Sequence, residues 1–268
     1  MSTPTPALSW PDPGEVLPIA ALRPVLERLS SLAVTRPDVV ALIPGLSTGE
    51  EEVAADPPPA LAQIVDEIGG VRVGDRVELT LLIEDRVGEG PYTLLQDATA
   101  FYPLHEGEDV AVVLTLAEDG TPGAVYGIGE DLALHLAAPD LGAYLSCFAE
   151  ALERALVEAE EETEVRGEST IEAVRALLDL HLYRDVLGLD PEDDTVPEAT
   201  VLEPAPAEQA PQPPAGETLP ADTVAVVDLR GAPLGAVAPV MDAELPGEPL
   251  DWHLEWRAGG LLLCIVAA

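Results

Sequence analysis

Apolar residues recur along this chain with two periods, and both occur in succession between Asp109 and Leu156. Val110 to Ala117 is a β-branched apolar run, Glu118-Asp119-Gly120-Thr121-Pro122 carries turn residues, and Gly123 to Ile128 is apolar again. Two such runs around an Asp-Gly signal predict a β-hairpin, in a loop long enough to need a bulge or a wider turn. From Asp140 the spacing changes to three and four. Leu141, Tyr144, Leu145, Phe148, Leu152 and Leu156 predict a long helix with one apolar face. The hairpin with this helix closing over it is the expected heart of the main domain.

Upstream, Leu22, Val25, Leu26, Leu29 and Leu32 predict a helix over 20–33, with Pro24 tolerated in its first turn. Val39 to Ile43 predicts a short strand. Ser47 and Glu50 form a capping-box pair for a short helix that must stop at Pro57-Pro58-Pro59. Leu61, Ile64, Val65 and Ile68 predict a helix over 60–68, ended by Gly69-Gly70. Strands follow at Val71–Val73 and Arg76–Glu84, the second turning Val77, Leu79, Leu81 and Ile83 to one face. Tyr92–Leu95 is a further strand. Asp97–Glu108 reads as irregular, with Phe101, Tyr102 and Pro103 as aromatic filling, and Leu132, Leu134 and Leu136 alternate as a short strand. Beyond the long helix, Glu158 to Glu164 reads as a solvated end. Ser169 with Glu172 caps another helix, faced by Ile171, Val174, Leu178, Leu182 and Val186 and closed by Gly188.

These patterns divide the chain. Residues 1–19, with Pro4, Pro6, Pro11, Pro13 and Pro18, form an extended arm, and residues 20–188 form an α+β domain. Residues 189–222, rich in Pro, Ala and Glu, predict a disordered linker. Residues 223–268 hold four strand runs, at Val224–Leu229, Leu234–Val240, Trp252–Trp256 and Leu261–Val266. A β-rich module of this size lacks the core to stand alone, so it is expected to dock on the main domain or on a partner, or to form a small meander in a dimer.

Composition adds a charge. The chain has 268 residues, 47% of them apolar, and 50 acids against 12 bases, for a net charge of −38. All the bases are Arg. The chain has no Lys and no Asn, which points to GC-rich coding. One reading of the acidity is solubility. The other is a basic partner: a negative field repels nucleic acid and anionic membrane and speeds encounter with a cationic protein such as a nuclease.

Motifs for chemistry fail one by one. His105, His135, His181 and His253 share no zinc-ligand spacing. Asp190-Pro-Glu-Asp-Asp lacks the glycine and closing glutamate of a calcium loop. Gly127-Ile-Gly129 lacks the third glycine of a dinucleotide fingerprint. There is no GxSxG elbow, and Cys147 and Cys264 read as buried thiols outside any disulfide framework. The expectation is a non-enzymatic protein with no cofactor and no metal. The first residues carry no signal-peptide pattern, and Leu261–Ala268 is too short to span a bilayer, so a cytoplasmic protein is expected. What remains are acidic loops at strand ends: Glu84, Asp85 and Glu89; Glu106, Glu108 and Asp109; Glu118 and Asp119; Glu130 and Asp131. They are either a solvated face or a docking surface for Arg and Lys, with Glu84, Asp85, Glu106, Glu108, Asp109, Glu130 and Asp131 as its contact residues.

Several of these stretches resemble a family. Pro44-Gly-Leu-Ser-Thr-Gly-Glu-Glu-Glu, a helix ending in Ile68-Gly69-Gly70, then Gly123-Ala-Val-Tyr126 and the closing helix from Asp140-Leu-Gly-Ala-Tyr-Leu-Ser-Cys-Phe148 are similar to the SUKH superfamily. Its bacterial members resemble a yeast cell-wall synthesis regulator. The resemblance covers residues 42–156. It implies a mostly antiparallel sheet flanked by helices and a non-enzymatic role, many such proteins being immunity proteins that neutralise a cognate toxin, often a basic nuclease. The alternative expectation is a scaffold whose C-terminal strands bind a protein from the end of a Pro-rich tether.

Overall fold

A computed structural model describes residues 19–46, 59–82, 101–106, 110–129, 131–166, 170–187, 199–241, 243, 245–247 and 251–267. The helices are α1 (Ile19–Thr35), α2 (Ala62–Glu67), α3 (Leu141–Arg166) and α4 (Thr170–Leu180), the last continued by a π-helical turn at His181–Leu187. The strands form three sheets of antiparallel pairs. The first joins β1 (Val40–Pro44), β2 (Ile68–Val73) and β3 (Arg76–Thr80) in that order. The second holds β4 (Phe101–Glu106), β5 (Val110–Leu116), β6 (Pro122–Gly129), β7 (Leu134–Ala138) and β10 (Val237–Ala238), ordered β10-β7-β6-β5-β4. The third holds β8 (Ala205–Pro206), β9 (Thr223–Asp228), β11 (Trp252–Arg257) and β12 (Leu262–Ala267), ordered β11-β12-β9-β8. The fold is α+β, with antiparallel sheet flanked by helices.

The five-stranded sheet is the central layer because both its faces are apolar. Along β5, Val110, Val112, Leu114 and Leu116 join the face of α3 (Leu141, Leu145, Phe148, Leu152) and Leu22 and Leu29 of α1. Ala111 and Val113 point the other way, into a second core with Trp252, Leu254, Trp256, Leu263 and Ile265. A strand buried on both faces needs no polar alternation, so β5 and β6 appear in the sequence as unbroken apolar runs. The predicted hairpin and helix both form. Asp140 caps α3, its Oδ1 accepting the Ala143 N–H at 2.8 Å.

Elsewhere the chain departs from the sequence reading. The stretch read as irregular holds β4. Pro103 is tolerated because β4 is an edge strand and the ladder shifts beside it: Pro103 pairs with Val113 and His105 with Val112, so Leu104 bulges. Gly69 and Gly70 do not end a helix, since α2 stops at Glu67 and both glycines lie in β2. Gly70 has φ 149°, and a Cβ there would strike the Leu79 carbonyl. The strand face predicted through Val77 is also wrong. Arg72 pairs with Val77 and Val71 with Leu79, so Glu78 is the extra residue of a bulge. It turns inward to 0% exposure while Val77 is left 37% exposed.

The segment read as a disordered linker is laid along the C-terminal sheet in its described part, 199–222. Val237 N–H donates to Thr200 O at 2.9 Å, and Leu202 N–H donates to Val237 O at 2.8 Å. β8 pairs with β9. Ala210 and Leu219 cover Val226, Leu262 and Cys264 on the sheet's outer face. A proline-rich chain is short of donors, but its carbonyls still accept. Arg230 Nη1 reaches Gln212 O at 3.1 Å, and Arg257 Nε reaches Thr218 O at 2.8 Å. The arm at 1–18, the Ser47 capping pair, the Tyr92–Leu95 strand, Ser169 and Gly188 lie outside the described residues. Among the described residues no helix is long and apolar enough to cross a membrane.

Candidate functional site

The hairpin order gives the central sheet two acidic ends. Glu106 pairs with Ala111 and Val110 with Gly129, so the β4–β5 and β6–β7 connections lie side by side. The Glu118-Asp119 turn joins β5 to β6 at the opposite end. The acidic loops are therefore split between the two ends: Glu106 and Asp131, the described members of the predicted docking set, lie at one, the far end, and Glu118 and Asp119 at the other, the near end. Glu84, Asp85, Glu89, Glu108, Asp109 and Glu130 lie outside the described residues. Asp131 is exposed, and its Oδ1 accepts the Ala133 N–H at 3.0 Å.

The described clefts are at the near end. The Ala117–Pro122 turn, the Arg257–Gly260 turn and Gly216–Thr218 enclose about 680 Å³. A neighbouring cleft of about 540 Å³ follows β11, lined by His253–Arg257, Leu116–Glu118 and Pro220–Asp222. The walls are fixed by the docking of the two sheets. Ala124 N–H donates to Gly259 O at 2.9 Å, and the Tyr126 hydroxyl donates to Gly260 O at 2.7 Å. Tyr126 stacks on Trp256 with ring centroids 5.2 Å apart. Gly260, at φ 85°, sits where a Cβ would strike Ala124 N and Thr115 Oγ1, so this close approach needs glycine.

Carboxylates outnumber the cationic side chains of both clefts: Glu118, Asp119 and Glu217 line the first, and Glu118, Asp222 and Glu255 line the second. Hydrogen bonds from Thr121 hold the Asp119 carboxyl below the usual range, so it stays ionised. The cleft's arginine is already committed. Arg257 gives Nε to Thr218 O, Nη1 to Trp256 O at 2.8 Å and Nη2 to Glu255 at 3.1 Å. The same holds across the surface: Arg23, Arg28, Arg36, Arg76, Arg154, Arg175 and Arg230 each meet a carboxylate. With eight of the 12 bases so engaged, and 50 acids in the chain, the excess negative charge is uncompensated from within. Trp256 lines both clefts and is 3% exposed, and its indole N–H has no acceptor among the described residues. Sequence reasoning missed Glu217, Asp222, Glu255 and Trp256 as neighbours of Glu118 and Asp119. Two of them lie in the supposed linker, and the other two meet the hairpin only through sheet docking.

A second charged centre is partly buried. The bulge at Glu78 buries its carboxylate, which accepts from Arg76 Nε at 2.7 Å through Oε1, while Oε2 has no partner among the described residues. Arg76 Nη2 also reaches Asp179 of α4 at 2.8 Å. Arg175 of α4 donates to Val73 O at 2.8 Å and pairs with Asp75. Burial raises the Glu78 and Asp179 carboxyls above the usual range against the opposing pull of Arg76. The arrangement ties the β2–β3 hairpin to α4, with Glu78 fully buried and Arg76 partly open to solvent.

The thiols are quiet. Cys147 is half-buried rather than buried, and burial raises its pKa; Cys264 is buried and pushed up to about 11. Neither is a thiolate at neutral pH. Among the described residues no three His, Cys, Asp or Glu side chains gather as metal ligands. No family model, no curated protein and no solved structure matches the chain.

Proposed function

We propose that this is a non-enzymatic binding protein for a cationic protein partner, and that the partner is a basic bacterial toxin held and neutralised by it. The observation that carries the reading is the carboxylate-lined pair of clefts whose arginine is already bonded within the chain. Apart from Glu255, which meets Arg257, the cleft carboxylates have no arginine partner among the described residues, and such acceptors make strong hydrogen bonds to Arg and Lys of a partner. A net charge of −38 adds long-range attraction that raises the encounter rate. The toxin as partner rests on the SUKH-like residues at 42–156.

The measurement is a calorimetric titration of the full-length protein with an arginine-rich peptide at two ionic strengths. Raising salt from about 0.05 M to about 0.5 M is expected to weaken binding about tenfold or more, because screening shortens the reach of exposed charges. Equal affinity at both salts would remove the electrostatic basis of the proposal.

A further inference from the structure

We propose that the open edge of β11 is a docking strand for an extended, basic segment of the partner protein. The inference rests on the cationic-partner reading and adds how the partner is held. β11 is the terminal strand of its sheet, with β12 on one side and no described strand on the other. The Trp256 carbonyl accepts from Arg257 Nη1 and so faces away from β12. Alternation in an antiparallel ladder puts the Leu254 N–H and C=O on that same open side. The second cleft lies beside β11. It is lined by the consecutive residues His253 to Arg257, whose side chains alternate between half-buried and buried, by Leu116–Glu118, and by Val266 and Ala267 of β12.

Among the described residues no strand covers this edge at Leu254. β11 pairs with β12 without a register shift and carries no Pro and no Lys, two of the devices that blunt an edge, its charges being Glu255 and Arg257. Charge selects the occupant. Glu255 is on the strand, and Glu118 and Asp222 line the same cleft. An added strand with Arg or Lys at alternate positions places those cations on the face that carries Glu255. The buried Trp256 indole N–H lacks an acceptor, and a main-chain carbonyl is a group of the kind it lacks.

The test uses the full-length, isotope-labelled protein and a synthetic peptide alternating Arg with Thr. A second peptide of the same sequence is N-methylated at every other residue, which keeps the charge and removes donors from one edge. The amides of Leu254 and Trp256 are expected to gain about tenfold or more protection from hydrogen exchange when the first peptide is added. N-methylation is expected to weaken binding about tenfold or more, the equivalent of one or two main-chain hydrogen bonds. If both peptides bind alike and the β11 amides stay unprotected, cationic binding stands and the docking strand is overturned. If neither peptide binds at low salt, the cationic-partner reading falls and takes the docking strand with it.

Discussion

Deleting residues 199–268 is expected to abolish cooperative folding of what remains. The deletion removes the sheet that covers Val113, Tyr126, Ile128, Leu134 and Leu136, all buried in the second core. Exposing a large apolar side chain costs about 1.5–3 kcal/mol, so these residues together match or exceed the whole stability of a typical domain, about 5–15 kcal/mol. The truncated chain should bind a hydrophobic dye, associate, and show no sharp thermal transition in calorimetry. Residues 223–268 alone should likewise give no cooperative melt, since Trp252, Leu254 and Trp256 would lose their cover. A gentler version is Trp256→Ala, which should cost about 3–5 kcal/mol. A truncated protein that stayed monomeric and melted sharply would mean that the two sheets do not share a core. The same reasoning makes deletion a poor way to locate binding, because losing the C-terminal strands unfolds the sheet that carries Glu118 and Asp119.

The second large effect is tied to pH. Glu78, Asp140 and Asp179 have carboxyl pKa values raised chiefly by burial. Between the ordinary carboxylate range and those raised values, the folded protein holds protons that the unfolded chain has released. Stability therefore falls as pH rises through that window. Glu67, Glu153 and Asp228 are held below the ordinary range by their arginines, so their contributions are lost as pH falls below it. The two trends put maximum stability on the acid side of neutrality, where the self-repulsion of a −38 chain is also reduced. Arg76→Ala sharpens the test. At neutral pH it leaves Glu78 buried without its cation and should cost about 3 kcal/mol, the low end for a broken buried pair because the Arg76 side chain is 39% exposed. As pH falls Glu78 takes up a proton and the cost should shrink. Adding Glu78→Gln to Arg76→Ala should recover most of the loss at neutral pH, which denaturant melts of the double-mutant cycle will measure. A cost independent of pH would show that Glu78 is not the source.

Much of the central layer was legible because its residues obey one period each. The β5–β6 hairpin and α3 follow from the runs at Val110–Ala117 and Gly123–Ile128 and from the heptad-like face of Leu141 to Leu156. The misreadings share a physical cause, the β-bulge. One extra residue at Glu78 reverses which side chains face inward, and another at Leu104 hides a strand that also contains Pro103. No period survives such a shift. The segment at 199–222 was misread for a different reason. Its composition cannot build a core, but it needs none, because Arg230 and Arg257 hold its carbonyls and the outer face of the C-terminal sheet supplies the apolar partner. The acidic loops could be named from the sequence but not sorted. Which of them share an end depends on strand direction, and the cleft also needs Glu217, Asp222 and Glu255 from the C-terminal third.

The location of cationic binding is tested most directly by reversing charge at the two ends of the central sheet. One variant carries Glu118→Arg at the clefts; the other carries Asp131→Arg at the far end. Both change the net charge by the same amount, so only position differs. Affinity for the arginine-rich peptide at low salt should fall about tenfold or more in the first variant and by no more than about twofold in the second. The reverse order would place the binding surface at the β4–β5 and β6–β7 connections and contradict the assignment to the clefts beside β11.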